Sequence, residues 1–480
     1  MTRRIFVACI VFVSALILGC AATGPEPLIE NGAFESVGDD QLPSNWTIQS
    51  FGHATSVEDG VLVIDSAVDP RSTLINQVLT GEQLRSGSLR FSGELKTEGV
   101  EISATLVAMV RGGDRTLFMD DMRDRVVAGD TEWRRYTIDI PTIADAEELE
   151  VGMLLIGPGK VWFDNLTLER FDDRGEPGVA RAYLAAAVEI LEEQYLRSER
   201  IDWNSISDSA ALSLRDDSSL TDAHGAVASL FARLDDPHAQ FVRPRDEDPR
   251  AAVDDARPII RIEEQTGVAY VEVPRWSSPA TSPASTALIR ETHQGTSALA
   301  PAVCGWIVDL SENTGGNMWP MLAALGPLLG REDVGGFVGF DSTELTTTWW
   351  YRDGVSGARE RDVEVPRTAE IENVAPRIPV TEPVAVIVGS DTSSSGEALA
   401  MAFLGRENVR FFGQPTAGWT TANVAVPLSD GGILVFPSAY MADSSGQAYP
   451  DGVIPDEMVD SVKAPRTAVE WLKGHSACDR

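Results

Sequence analysis

The period of apolar and polar positions changes along this chain. Between residues 28 and 171 the two alternate, as in Leu89-Arg90-Phe91-Ser92-Gly93-Glu94-Leu95 and Tyr136-Thr137-Ile138-Asp139-Ile140. Gly, Asp and Pro turns separate these runs, which predicts an all-β sandwich. A polar, turn-rich linker, residues 172–178, follows. Val179, Leu184, Val188, Leu191 and Tyr195 then fall near helical spacing, and a second helix is expected over 223–234, ending at Leu234-Asp235-Asp236-Pro237-His238. A second charged, proline-containing linker covers 246–257. From about Ile259, apolar strands (268–273, 304–310, 384–388) alternate with helical stretches (286–293, 318–329, 396–404), the order of an α/β core with parallel strands.

Length and composition agree with a multidomain chain. At 480 residues it exceeds one ordinary core, and 43% apolar with 23% charged residues is a globular balance. The formal net charge of −34 makes nucleic acid an implausible partner and disfavours anionic lipid heads. The first residues are a targeting segment: Arg3 and Arg4, then an apolar stretch Ile5 to Leu18 too short to span a membrane. It ends Leu16-Ile17-Leu18-Gly19-Cys20, which resembles a bacterial lipobox. That resemblance implies removal of residues 1–19, lipid modification of Cys20, and 20–27 as a tether. Ala21, rather than aspartate, implies sorting to the outer membrane, facing the periplasm or the cell surface. The anchor would then be the only membrane link. Cys304 and Cys478 read as a buried thiol and a tail thiol; spacing alone cannot say whether they pair. No CxxC or HxxxH spacing occurs, so neither a metal nor a cofactor is expected.

Three segments carry candidate chemistry. The strand Val384–Val388 breaks at Gly389, passes through Ser390-Asp391-Thr392-Ser393-Ser394-Ser395-Gly396 and re-enters a helix. Such a junction can expose a nucleophilic serine beside free helix N–H groups, although serine is also a common helix cap. Trp306 to Leu310 opens into Ser311-Glu312-Asn313-Thr314-Gly315-Gly316-Asn317, a glycine loop able to bring N–H groups to an oxyanion or simply to turn tightly. His238 follows the helical segment and is one of five histidines; a serine needs a base to be nucleophilic at neutral pH.

Taken together with Gly413-Gln414-Pro415-Thr416-Ala417-Gly418 and Gly452-Val453-Ile454-Pro455-Asp456, these motifs resemble in their order the tail-specific (C-terminal processing) and tricorn-core family of serine peptidases. The resemblance spans about residues 177–460. It implies a helical part at 177–245 and an α/β, ClpP/crotonase-like core at 255–475 acting on peptide or protein substrates. The nucleophile would be Ser394, three residues before Glu397, with an oxyanion hole from Ser395 and the Gly315–Gly316 loop. Processing peptidases place a lysine base just after the Gly-x-Pro-Thr-x-Gly motif; Trp419 stands there, and the only later lysines are Lys463 and Lys473. His238 is therefore the expected base, as in the tricorn-like branch, and no PDZ-like segment is evident near 245–260. That branch also carries an orienting glutamate at the position of Tyr449, which leaves Tyr449, Gln447 or Asp451 for the role. The competing readings are a catalytically silent binding protein for a hydrophobic ligand or peptide, and an esterase. Residues 28–171, with Asn31-Gly32-Ala33-Phe34, Trp46 and Val161-Trp162-Phe163-Asp164, resemble jelly-roll carbohydrate-binding modules. Glycan contact through Trp46 and Trp162 competes there with plain core packing.

Overall fold

The computed structural model describes residues 28–475 and Cys478, apart from 39–41, 51, 67–71, 82–83, 85–86, 114, 123–124, 172–173, 245–256, 264–265 and 341. Cys20, the leader, the tether and nearly all of the 246–257 linker lie outside the described residues.

Among the described residues nine strands build the N-terminal unit: β1 (Thr47–Ser50), β2 (Ala54–Glu58), β3 (Val61–Ser66), β4 (Ser72–Thr80), β5 (Leu89–Gly112), β6 (Arg115–Asp120), β7 (Val127–Ile140), β8 (Glu148–Ile156) and β9 (Gly159–Arg170). All pair antiparallel, in the order β1-β4-β8-β5-β9-β3-β2, with β6 and β7 also on β5. The first half of the 24-residue β5 pairs with β7 and β9 and its second half with β8 and β6, so one sheet folds over a single core. Phe91, Leu95, Leu106, Val151 and Phe163 are fully buried inside it. Trp46 belongs to that core: its ring lies against Phe34, and its indole N–H donates to the carbonyl of Asn31 at 3.1 Å. Trp162 lies outside it, with the ammonium groups of Lys96 and Lys160 about its ring.

Helices α1 (Val179–Gln194), α2 (Trp203–Ala211) and α3 (Leu220–Leu234) follow. Ser219 caps α3 by accepting the N–H of Asp222, and Asp235 ends it in the left-handed region at φ 51°. The remaining elements, in chain order, are β10 (Gln240–Val242), β11 (Ile259–Glu263), β12 (Val268–Glu272), α4 (Pro283–Leu299), β13 (Gly305–Asp309), α5 (Met318–Leu325), β14 (Asp333–Val338), β15 (Leu345–Arg352), β16 (Val355–Glu360), β17 (Val363–Pro366), β18 (Val384–Val388), α6 (Ser395–Phe403), β19 (Val409–Gly413), β20 (Thr421–Pro427), β21 (Ile433–Ala442), β22 (Glu457–Met458) and α7 (Ala464–Lys473).

They form two sheets. The first, β11-β12-β13-β18-β19-β22, is parallel except for the edge strand β11, and β13 and β18 are buried along their whole length. This is the parallel core that the apolar runs predict. The second is antiparallel, β10-β21-β14-β15-β16-β17 with β20 on β21, and the sequence reading placed no strands in its 333–366 portion. Through it the helical part joins the core: β10 pairs with β21, and the α1–α3 cluster includes Leu434 and Phe436.

The sandwich is docked on α3. The buried Asp222 carboxylate accepts the Ser88 hydroxyl at 2.8 Å and the Thr142 N–H at 3.3 Å. Arg243 reaches Asp120 across the same seam at 2.6 Å. Cys304 and Cys478, whose pairing the sequence left open, form a disulfide that fastens the end of α7 beside the start of β13.

Candidate active site

Strand β18 delivers the serine turn to the carboxyl end of the parallel sheet, where open α/β sheets place their ligand sites. Thr392 fixes the turn: its hydroxyl donates to the carbonyl of Leu310 at 2.7 Å and accepts the N–H of Gly389 at 2.9 Å. Ser393 and Ser395 are buried and Ser394 between them is half-exposed. Ser394 stands at the N-cap of α6, yet its backbone is not that of an ordinary cap. The capping serines Ser219 and Ser282 have extended backbones, at φ −77°, ψ 174° and φ −70°, ψ 158°. Ser394 is at φ 53°, ψ −120°. A non-glycine residue held there costs of order 1–3 kcal/mol and is concentrated at functional turns such as strand-to-helix nucleophile elbows.

The glycine loop lies directly against this serine. A Cβ added to Gly315 would stand 2.9 Å from the Ser394 Cβ and 3.0 Å from the Ser395 nitrogen. Asn313 holds the loop and is almost wholly buried. Its amide donates to the carbonyls of Val273 and Pro274, and its backbone carbonyl accepts the N–H of Ser393 at 3.1 Å. Its Oδ1 accepts the Gly315 N–H at 2.9 Å, which takes Gly315 out of the expected oxyanion hole. Among the described residues no hydrogen bond engages the N–H of Gly316 or Ser395. These two remain as the donor pair, with Gly316 at φ 106° and the Ser395 hydroxyl donating to its carbonyl at 2.5 Å.

Glu397 joins this turn to the next loop. Fully buried, it accepts the N–H of Ser394 at 3.0 Å, the hydroxyl of Thr416 at 2.5 Å, and the N–H groups of Gly418 at 2.8 Å and of Trp419. Burial raises its pKa and these donors pull the other way.

Trp419 leads to His238. The two rings stand 5.5 Å apart between centroids, and Trp419 remains 44% exposed. Half-buried His238 pairs its Nδ1 with the hydroxyl of Thr421 at 2.7 Å. Asp236 accepts the His238 N–H at 3.0 Å while also receiving the Tyr195 hydroxyl and pairing with Arg197. Burial lowers the His238 pKa and the nearby Asp236 charge opposes this, the net direction being down. No hydrogen bond joins His238 to Ser394; the route between them runs through Glu397 and the 418–419 backbone.

None of the three residues expected at the imidazole is hydrogen-bonded to it. The Tyr449 hydroxyl donates to Asp443 at 2.7 Å and the Gln447 amide to the Ala448 carbonyl at 2.7 Å. Asp451 is exposed, its backbone beside Gly418. Thr421, which sequence reasoning missed, occupies Nδ1. Its partner lies 183 residues earlier, so no local pattern announces it. Among the described residues no group of three or more His, Cys, Asp or Glu side chains could hold a metal ion, and no helix is long and apolar enough to cross a membrane.

Residues 267–459 match the model of peptidase family S41. The chain is 33% identical over 170 residues to the nisin-resistance protein of Lactococcus lactis subsp. lactis, covering 35% of this chain and 50% of that protein. Over 86 residues it is 35% identical to the uncharacterized HTH-type transcriptional regulator YbfP of Bacillus subtilis (strain 168), covering 18% and 29%. The chain thus spans about half, or less, of the length of these curated relatives. Among solved structures, a lipoprotein from Streptococcus agalactiae aligns over 62% of this chain and 96% of its own, at TM-score 0.47 and 22% identity. The photosystem II D1 C-terminal processing protease aligns over 62% and 98%, at TM-score 0.42 and 15% identity. The likeness to peptidase family S41 therefore lies in residues 267–459, the part of the chain that holds Ser394, Glu397 and the Gly315–Gly316 loop.

Proposed function

We propose that this protein is a serine peptidase that hydrolyses peptide bonds through an acyl-enzyme at Ser394, with His238 as general base. The observation that carries the reading is the left-handed backbone of Ser394, half-exposed between two buried serines and against the Gly315–Gly316 loop. In the first half-reaction the Ser394 Oγ bonds to the substrate carbonyl carbon and its proton passes to Nε2 of His238. The oxyanion takes the N–H groups of Gly316 and Ser395. Nε2 then returns the proton to the departing amine as the C–N bond breaks. Water repeats the sequence on the ester, giving its proton to Nε2, and Ser394 leaves with that proton restored. Burial that keeps the imidazole neutral supports its part as a base. His238 has to close on Ser394 when substrate binds, since catalytic hydrogen bonds are often long before then.

Ser394→Ala should abolish both hydrolysis and labelling by a fluorophosphonate probe; a variant that labels as strongly as the parent overturns the assignment. The nisin-resistance relative makes nisin a first substrate to assay. We further propose that the protein is lipid-anchored in the bacterial envelope through Cys20. The Cys304–Cys478 bridge supports an oxidising compartment. Loss of lipid labelling in Cys20→Ala is the test, and unchanged labelling refutes the anchor.

A further inference from the structure

We propose that Thr421 is the third member of this site, a positioning residue whose hydroxyl accepts the Nδ1–H of His238 in the role that a carboxylate holds in a Ser-His-Asp triad. The inference deepens the reading of His238 as base and rests on it. Only the tautomer with its proton on Nδ1 leaves Nε2 a lone pair for the Ser394 proton. Once Nε2 has taken that proton, Nδ1 carries a hydrogen by necessity, and the atom 2.7 Å away must then accept. Thr421 Oγ1 is that atom, and it is buried. Among the described residues no carboxylate is hydrogen-bonded to the His238 ring. Asp236 spends its oxygens on the His238 backbone N–H, the Tyr195 hydroxyl and Arg197, and Tyr449 is turned to Asp443.

The surrounding chain is built for this contact. Thr421 and Asn423 are the first and third residues of β20 and Trp419 stands two residues before it, and in an extended chain alternate side chains share a face. All three meet the same histidine: the Trp419 ring lies against the imidazole, Thr421 takes Nδ1, and the Asn423 amide donates to the His238 carbonyl at 2.8 Å. At the same stretch, the N–H groups of Gly418 and Trp419 are held by Glu397, which also holds the N–H of Ser394. Residues 418–423 therefore set the register between nucleophile and base.

A hydroxyl orients the ring without lending it negative charge. Among the described residues the charged groups on the other side are Asp236, paired with Arg197, which in turn donates to the Tyr440 hydroxyl; Glu397 lies beyond Trp419. Burial therefore keeps the base neutral to lower pH than an unperturbed histidine, with the nearby Asp236 charge opposing it only in part.

The test compares Thr421→Val, which keeps shape and loses the hydroxyl, with Thr421→Ser, which keeps the hydroxyl. Nitrogen-15 spectra of histidine-labelled protein read the tautomer directly, since there are five histidines and His238→Gln assigns one. The parent and Thr421→Ser should show neutral His238 protonated at Nδ1, and Thr421→Val should lose that preference. Its kcat should fall about 10- to 100-fold, the order of loss seen when the hydrogen-bond partner that orients a metal-bound histidine is removed. Its KM should stay within about twofold, since substrate contacts are untouched. Parent protein protonated at Nε2, or a folded Thr421→Val with unchanged kcat, overturns the inference. If Thr421→Val does not fold, the tautomer in the parent and in Thr421→Ser still decides. Hydrolysis that survives Ser394→Ala would refute the peptidase reading itself, separately from either result.

Discussion

Glu397 accepts the backbone N–H of Ser394 across a single helical turn, at 3.0 Å, and from the same buried carboxylate holds Thr416 and the 418–419 backbone. It spans the two segments that the proposed mechanism must keep in register. Glu397→Gln keeps the volume but substitutes two donors for one acceptor oxygen among groups that all donate. An unsatisfied buried polar group costs about 1–3 kcal/mol. We expect a Tm several degrees lower, and a loss of probe labelling at Ser394 out of proportion to that loss of stability. Labelling at the parental rate in the folded variant would show that the carboxylate only supports the fold.

The two loop glycines should differ in their response to a methyl group. On Gly316 a Cβ would come within 2.1 Å of the Trp276 carbonyl oxygen, and its φ is 106°, so Gly316→Ala must shift the loop and the N–H assigned to the oxyanion. On Gly315 the nearest atoms are the Ser393 carbonyl and the Ser394 Cβ, both at 2.9 Å, so Gly315→Ala should displace the nucleophile itself. Removing one oxyanion donor costs about 10²- to 10³-fold in kcat. Single-turnover acylation should fall by that order in Gly316→Ala. A normal acylation rate there would remove Gly316 from the hole.

Acid should act on rate and on stability in the same direction. His238 must be neutral to accept a proton, and burial lowers its pKa, so kcat/KM should rise with pH with a midpoint below the unperturbed histidine value of about 6.5. For stability, His224, His238 and His293 all have lowered pKa values in the fold, burial being the leading cause. The unfolded chain therefore takes up protons first as pH falls. The stability these groups contribute is full above about pH 7 and declines below the unfolded value near 6.5. His293 illustrates the cost. It is fully buried, its Nδ1 accepts the Ala375 N–H at 3.2 Å and its Nε2 donates to the Ala323 carbonyl at 3.0 Å, so a second ring proton would face a donor. Tm should drop between pH 7 and 5, and less so in His293→Gln; a Tm flat over that range contradicts this account.

Much of the architecture was legible because burial leaves a local signature. Val384 to Val388 has no polar residue, and it is the strand β18, buried on both faces. The Leu89–Leu95 alternation became part of β5 in the same way. The antiparallel sheet was missed, although its hairpins carry a signal: Asp353-Gly354 joins β15 to β16 with both residues at positive φ, a two-residue turn of the kind Asp-Gly favours. At the site, the strand, turn and helix that carry Ser394 were readable because they follow one another in sequence, while the choice of Ser394 within the turn came from the family resemblance. The environment of His238 was not readable. Trp419, Thr421 and Asn423 meet it only through the folding of β20 against the turn after α3, and the commitment of the Gly315 N–H to Asn313 depends on a rotamer. Local structure set by contiguous residues showed through; contacts set by long-range pairing did not.

The seam between sandwich and peptidase unit offers a test of whether the two behave as one body. Asp222, 2% exposed on the first turn of α3, accepts the Ser88 hydroxyl and the Thr142 N–H from the sandwich. Nearby, a Cβ on Gly225 would lie 2.4 Å from Pro141, so helix and sandwich are in close contact there. Asp222→Ala removes the acceptor and leaves two donors buried, at a cost of about 1–3 kcal/mol. Each unit retains its own core, one around Phe91 and Phe163 and the other around Trp306 and Leu399. The variant should therefore loosen the seam before either core melts. The parent is expected to give one calorimetric transition, and Asp222→Ala two, with faster proteolytic cleavage near residues 172–178. A single transition at the parental temperature would show that Arg243–Asp120 and the apolar contacts suffice to hold the two units together.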